Sequence, residues 1–209
     1  MRRTHGRAHS RSSHRVGHHT PWAAKIRRVP SLPVPAGLAA DGVVLRRLRA
    51  RDAGAFAAAF KDDPHLGVAI GADEDPTEIS VRRFIARQPA LRARGEFLGL
   101  AVTDATTKPF LGQVMLHTVA WHHRRAEVGY WLVPAARGRG IGTTAVRLLV
   151  EWAFDTLDLD RIEITTTPDN LAAYALATRL GFQAEGVMRA RNLERGRRVD
   201  VVMLARLRK

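Results

Sequence analysis

The amino-acid sequence predicts one mixed α/β domain, with a sheet of about seven strands and four flanking helices. Three observations carry that expectation. The run Ala126-Glu-Val-Gly-Tyr-Trp-Leu-Val133 is rich in β-branched and aromatic residues, and a glycine-rich stretch joins it to a segment with Ala145, Leu148, Leu149, Trp152 and Ala153 at helical spacing. A second strand–helix unit follows, in which the β-branched run 161–167 leads to a helix opened by Asn170. Strand-like pairs joined by short polar turns precede the first unit and follow the second.

In chain order, residues 43–48 read as the first strand. Asp52 is placed to cap a short alanine-rich helix reaching Phe60, and Thr77 to cap a second helix from Glu78 to about Arg94. Residues 96–103 and 110–121 form a hairpin around Asp104-Ala-Thr-Thr-Lys-Pro109. The turn Trp121-His-His-Arg-Arg125, with His122 and His123 exposed, leads into the central strand. After its loop and helix come strand 161–167 and the Asn170 helix, which ends at Gly181. Residues 184–191 and 198–204 close the chain as a hairpin turned at Glu194-Arg-Gly196.

The joining stretch Val133-Pro-Ala-Ala-Arg-Gly-Arg-Gly-Ile-Gly-Thr-Thr144 carries the clearest chemistry. Glycines between a strand and a helix expose several backbone N–H groups at the positive end of the helix dipole, which suits phosphate. A Walker loop requires a lysine that is missing here, since Gly142 is followed by Thr143. The dinucleotide fingerprint fails at the same threonine, where it requires glycine. What remains is Arg137-x-x-Gly140-x-Gly142.

That pattern resembles the Q/R-x-x-G-x-G/A pyrophosphate loop of the GCN5-related N-acetyltransferase (GNAT) family. The segment Asp169-Asn-Leu-Ala-Ala-Tyr-Ala-Leu-Ala-Thr-Arg-Leu-Gly-Phe182 resembles the family's second cofactor motif, an Asn-started helix ending in Leu-Gly-Phe. Ala126-Glu-Val-Gly-Tyr-Trp131 and Ala184-Glu-Gly-Val-Met-Arg189 are similar to the Rim-type branch, which acetylates the N-terminal alanine or serine of ribosomal proteins. The resemblance runs from about Gly42 to the C-terminus and is densest over 126–189. It implies a GNAT-like, mainly antiparallel sheet with a splayed central strand pair. It implies acetyl-CoA as co-substrate and no metal. The cofactor-binding positions it implies are Leu132, Val133, Arg137, Gly138, Arg139, Gly140, Ile141, Gly142, Thr143 and Asn170.

Acetyl transfer from a thioester to an amine needs a neutral amine, a polarised carbonyl and a proton for the leaving thiolate. Backbone N–H groups near Leu132 or Val133 would polarise the carbonyl. Glu127 leads the candidates for the base, on a strand where several family members carry a catalytic glutamate. Alternation puts it on one face with Gly129 and Trp131, and Val128, Tyr130 and Leu132 on the other. The other reading of Glu127 is structural or substrate-orienting, paired with Arg124 or Arg125. Ala177 and Ala173 stand where relatives carry a tyrosine or serine donor, so Tyr174, about 100° around the helix from Ala173, is the candidate acid; the other reading of Tyr174 is a core or cofactor-facing aromatic, with a bound water as the donor. Trp131 is the substrate-site candidate, with Trp121 as a further wall of the acceptor channel; the other reading of both is core packing. The carboxylates of Asp62-Asp63 and Asp73-Glu-Asp75 suit a cationic acceptor, or are solvated loop charge.

A protein α-amine has a pKa of about 7.7–8.0 and lysine about 10.4, so deprotonation near pH 7.5 costs well under 1 kcal/mol for the first and about 4 for the second. A weakly specified base therefore suits an α-amine. The expected acceptor is a protein N-terminus. The alternatives are a small amine such as an aminoglycoside or polyamine, or a non-catalytic acetyl-CoA- or RNA-binding module.

Composition adds exclusions. The chain has 209 residues and no cysteine, which removes disulfides, thiolate metal sites and a cysteine nucleophile. No apolar run approaches the roughly 18 residues of a membrane span, so a cytoplasmic protein, monomer or homodimer, is expected. Residues 1–40 hold eight Arg or Lys and no Asp or Glu, so they carry eight of the formal +14 charges, and five of the nine histidines. They read as a disordered, proline-containing tail, inert or in weak electrostatic contact with RNA or the ribosome, which leaves 41–209 as the domain.

Overall fold

The computed structural model describes residues 29–63, 66, 75–106, 109–194 and 196–209. In chain order these form β1 (Ala39–Ala40), β2 (Val43–Arg47), α1 (Ala53–Asp62), α2 (Glu78–Ala93), β3 (Leu98–Asp104), β4 (Phe110–Ala120), β5 (Arg125–Leu132), α3 (Ile141–Leu157), β6 (Arg161–Thr166), α4 (Leu171–Arg179), β7 (Gln183–Glu194) and β8 (Arg197–Leu207). All strands join one sheet in the order β1-β2-β3-β4-β5-β6-β8-β7, giving eight strands where about seven were expected. The extra one is the two-residue β1, too short to leave a periodic signal. Every neighbouring pair is antiparallel except β5 and β6.

The sheet is covered on both faces. Ala126, Val128 and Leu132 of β5 share a core with Ala145, Val146 and Leu149 of α3 and Leu176 and Ala177 of α4. Trp131 turns to the other face and packs with Phe56 and Phe60 of α1. The alternation along β5 is thus the one the sequence predicts.

Local signals hold with one change. Thr77 Oγ1 accepts the Ser80 N–H at 3.1 Å and caps α2. Gly181 (φ +81°) ends α4, the Phe182 N–H donates to the Ala177 carbonyl at 3.0 Å, and Phe182 is buried. Asp52 precedes α1 as expected but gives it no side-chain cap. Its carboxylate accepts from Arg46 at 2.7 and 2.8 Å and from the Arg49 N–H at 2.7 Å. Burial pushes the Asp52 pKa up, but these bonds and the Arg46 charge outweigh it and hold the group below its ordinary value.

The folded body begins earlier than residue 41. Leu32 is 2% exposed and its N–H donates to the Arg92 carbonyl at 2.8 Å, while the Leu38 carbonyl accepts from the Leu45 N–H at 2.9 Å. An apolar Leu in the proline-containing segment thus packs as core. The histidine-rich basic stretch 1–28 lies outside the described residues, as do Asp73, Glu74, Lys108 and Arg195.

The feature that positions the site is a fork. β5 and β6 pair only at Arg125–Arg161, Ala126–Ile162 and Glu127–Glu163. Beyond that vertex β5 stays zipped to β4 as far as Leu132, and β6 stays zipped to β8 as far as Thr166. Each strand follows its outer neighbour, so the two diverge and leave backbone groups facing a gap.

Candidate active site

The mouth of the fork is closed by the glycine-rich loop and the start of α3. Gly138 and Gly140 have φ of +69° and +77°, and no heavy atom lies within 4 Å of a Cβ built on either. Gly140 is the N-cap of α3, has no side-chain cap, and is followed by a first turn without acidic residues. The first N–H groups of the helix therefore face open space with no acidic residue of their own turn beside them, and Asp41, which accepts from Thr144 Oγ1 at 3.4 Å, is paired with Arg147, an arrangement that fits a pyrophosphate. Gly142 acts differently. A Cβ there would lie 3.3 Å from the Tyr130 ring and 3.4 Å from Leu132 and Leu176 side-chain carbons, so its bareness lets the helix start approach β5 and α4.

Three members of the expected cofactor set make contacts within the chain. The Arg137 guanidinium does not reach into the concavity. Its Nε and Nη2 donate to the Leu132 carbonyl at 3.1 and 2.9 Å, and Nη2 pairs with Asp63 at 2.5 Å. It ties the loop to β5 and to the end of α1, because Asp63 is buried beside it. Arg139 and Thr143 remain next to the bare N–H groups. The Val133 N–H is engaged by the Leu111 carbonyl at 2.9 Å. Since N–H groups alternate sides along a strand, that bond fixes the parity of β5. Trp131 and Gly129 donate toward β4, and Leu132 and Tyr130 toward the gap. Of the expected pair, Leu132 faces the fork and Val133 does not; Tyr130 is the group the sequence reading missed. Asn170 Oδ1 accepts the Ala173 N–H at 3.1 Å, so the residue caps α4.

Glu127 stands at the vertex itself. It is bonded neither to Arg124, which pairs with Asp158 and Asp160, nor to Arg125, which pairs with Glu163. The Thr165 hydroxyl on β6 donates to Glu127 Oε1. On the other side the register sets His117 of β4 directly opposite. His117 went unnoticed in the sequence because nothing in its spacing from Glu127 announces a pairing that only the β4–β5 register creates.

Tyr174 is 41% exposed at the flank of the inward stripe of α4, which Ala173, Leu176 and Ala177 occupy. Trp131 is 3% exposed, with ring centroids of Phe56, Phe60 and Phe110 at 4.7, 5.1 and 5.7 Å, so of its two readings the packing favours core. Trp121 donates to the Gly95 carbonyl at 3.0 Å. His122 and His123 are exposed, as expected. Tyr130, beside Gly142, has its phenol pushed up to about 12 by burial, so it stays protonated across the physiological range.

A family model described as an acetyltransferase (GNAT) domain matches residues 43–183. The chain is 30% identical over 166 residues to the uncharacterised N-acetyltransferase YoaA of Bacillus subtilis, covering 78% of this chain and 92% of that one. RimJ of Mycobacterium smegmatis, solved in complex with a CoA disulfide, superimposes with a TM-score of 0.73 at 28% identity, over 86% of each chain. A shorter match, 32% over 75 residues, covering 36% of this chain and 40% of the other, links it to spermidine N(1)-acetyltransferase of Escherichia coli.

Proposed function

The chain belongs to the GNAT acetyltransferase family and is an N-acetyltransferase; on that premise we propose that it acetylates the N-terminal α-amine of a protein or peptide, with acetyl-CoA as donor. The observation that carries this is the fork, an open strand pair beneath an uncapped, glycine-lined helix start. Acetyl-CoA supplies an activated acyl thioester, and its pyrophosphate matches the concavity at Gly138, Gly140 and the first N–H groups of α3. Arg139 and Thr143 stand at the edge of that cradle. The N–H groups of Tyr130 and Leu132 are turned to the unpaired side of β5, where they polarise a carbonyl lying in the gap.

Glu127 meets the acceptor amine at the vertex, as orienting group or as base. Glu163, in register with Glu127, is already paired with Arg125 and Arg161, which leaves Glu127 to face the acceptor; such a site favours an amine that is cheap to deprotonate, and an α-amine is cheaper than lysine by about 3 kcal/mol or more. The Rim-type likeness supports a protein acceptor, since RimJ of M. smegmatis superimposes over most of both chains. The match to a spermidine acetyltransferase supports a second reading, a small polyamine acceptor.

Mass-spectrometric acetylation by the purified protein separates the two. The panel is Ser-, Ala- and Thr-started peptides, the same peptides N-blocked and carrying lysine, spermidine and an aminoglycoside. Labelling confined to free N-termini is the expected result. Labelling of spermidine or the aminoglycoside alone would overturn the α-amine assignment.

A further inference from the structure

The fork vertex holds one more group that the reading above leaves unused, and the inference rests on that reading. His117 and Glu127 face each other across the β4–β5 ladder, on the side of the sheet that also carries Gly129. The two sides of the imidazole are not equivalent. Nδ1 is hydrogen-bonded to Thr118 Oγ1 at 2.9 Å. Nε2 lies 3.2 Å from the point where a Cβ on Gly129 would sit, so it occupies the space that the bare glycine opens beside Glu127, on the stretch of β5 that has left β6. Thr118 is held at φ +49°, at the irregularity where the β4–β5 register shifts between His117 and Ala120. A β-branched residue is costly in that region, and strain of this kind clusters at functional sites. Here it holds the hydroxyl against Nδ1.

We propose that His117 Nε2 takes the proton from the acceptor amine and that Glu127, anchored by Thr165, orients the ammonium and steadies the imidazolium. Burial draws the His117 pKa below its ordinary value and the Glu127 charge pulls it part of the way back; Arg125, Arg161 and Glu163, the other charges on that face of β5 and β6, are paired with one another, Arg125 with Glu163 at 2.8 Å. The ring is therefore neutral near pH 7, with its Nε2 lone pair free when Nδ1 donates to Thr118. Protons and bonds balance without a tyrosine or serine acid. One ammonium proton passes to Nε2. The freed nitrogen lone pair forms the N–C bond to the thioester carbonyl as the C–S bond breaks. A second N–H proton leaves with the sulfur, which gives amide, thiol and imidazolium. Ala173 and Ala177 then need no substitute.

The test combines two measurements on the full chain. Histidine side-chain NMR, with the His117 signal assigned by its loss in His117→Gln, gives the titration midpoint in wild type and in Glu127→Gln. The midpoint should drop in Glu127→Gln, because the raising influence is gone and burial remains. An unmoved midpoint overturns the pairing whatever the acceptor proves to be. The pH profile of kcat/KM is then recorded on whichever panel amine is labelled. Wild type should lose activity on the acid side at the NMR midpoint. His117→Gln should fall about 100-fold, lose that acid limb and keep wild-type CoA affinity and thermal unfolding. A His117→Gln protein that keeps its rate and limb overturns the proposal. If that variant unfolds, His117→Asn gives the same readouts. Labelling of spermidine alone would sink the α-amine reading and leave the histidine assignment to be decided by these same curves.

Discussion

The glycine loop and the fork vertex sit at opposite ends of β5 and are built in opposite ways. The loop works with main chain: its N–H groups point out because Gly138 and Gly140 adopt φ values that other residues resist, and nothing packs where their side chains would be. The vertex works with side chains from neighbouring strands, His117 on β4, Glu127 on β5 and Thr165 on β6, brought together by register. The difference is one of failure mode. A loop made of backbone fails when a side chain is added, and a vertex made of side chains fails when one is removed or displaced.

Gly140→Asp should show the largest effect. A carboxylate placed in the concavity repels the pyrophosphate, and CoA affinity by calorimetry should fall about 100-fold or more. Gly140→Ala sharpens the point. With no atom within 4 Å of its Cβ, it carries only the left-handed strain of about 1–2 kcal/mol, so it should bind CoA measurably. Equal losses in both variants would mean that backbone strain, and not charge, governs the loop.

Next comes Glu127→Gln, which should lower kcat/KM by about 10- to 100-fold with CoA affinity unchanged, as expected of a group that acts on the acceptor and on His117 but not on the cofactor. Loss of CoA affinity in that variant would erase the division between the two ends of β5. Gly129→Ala should follow at about 10-fold in kcat/KM, since its Cβ would press on His117 Nε2 at 3.2 Å and turn the ring. Its thermal stability should stay close to wild type, because a ring can yield where backbone cannot.

The smallest effect is expected from Arg137→Ala. It removes two hydrogen bonds to the Leu132 carbonyl and the pair with Asp63. With 45% of the arginine side chain exposed, solvent screening holds the cost to about 1 kcal/mol, read as a few degrees in Tm. A collapse of CoA binding would instead return the guanidinium to the phosphates.

Acid stability offers an independent check on the α1 start. The Asp52 carboxyl sits below its ordinary pKa in the folded chain, so it contributes stability above about pH 4 and loses it as pH falls through the folded value. Asp52→Asn should be less stable at neutral pH and show a shallower acid limb in denaturation.

How much could be read in advance follows from how far apart in the chain the cooperating atoms lie. The bare backbone of the loop was legible because Gly138 and Gly140 act through their own main chain, within a few residues of a helix start. So was the close of α4 at Gly181 and Phe182, where one glycine conformation ends the helix. The alternation along β5 was legible for the same reason, since the pleat has a period of two. The surroundings of Arg137 and Tyr174 were not legible, because a motif position does not state where a long side chain turns. Arg137 found a carbonyl and a buried carboxylate, and the inward stripe of α4 belongs to Ala173, Leu176 and Ala177.

Sequence alone determined the order of strands and helices, the glycine-rich strand–helix junction and the family, each a property of short contiguous segments. Tertiary structure decided where β5 and β6 part, that Val133 is engaged while Leu132 is free to face the gap, and that His117 stands opposite Glu127. Those facts depend on strand register, and register is set by the packing of the whole sheet between its two helical layers. No local stretch of the chain contains it.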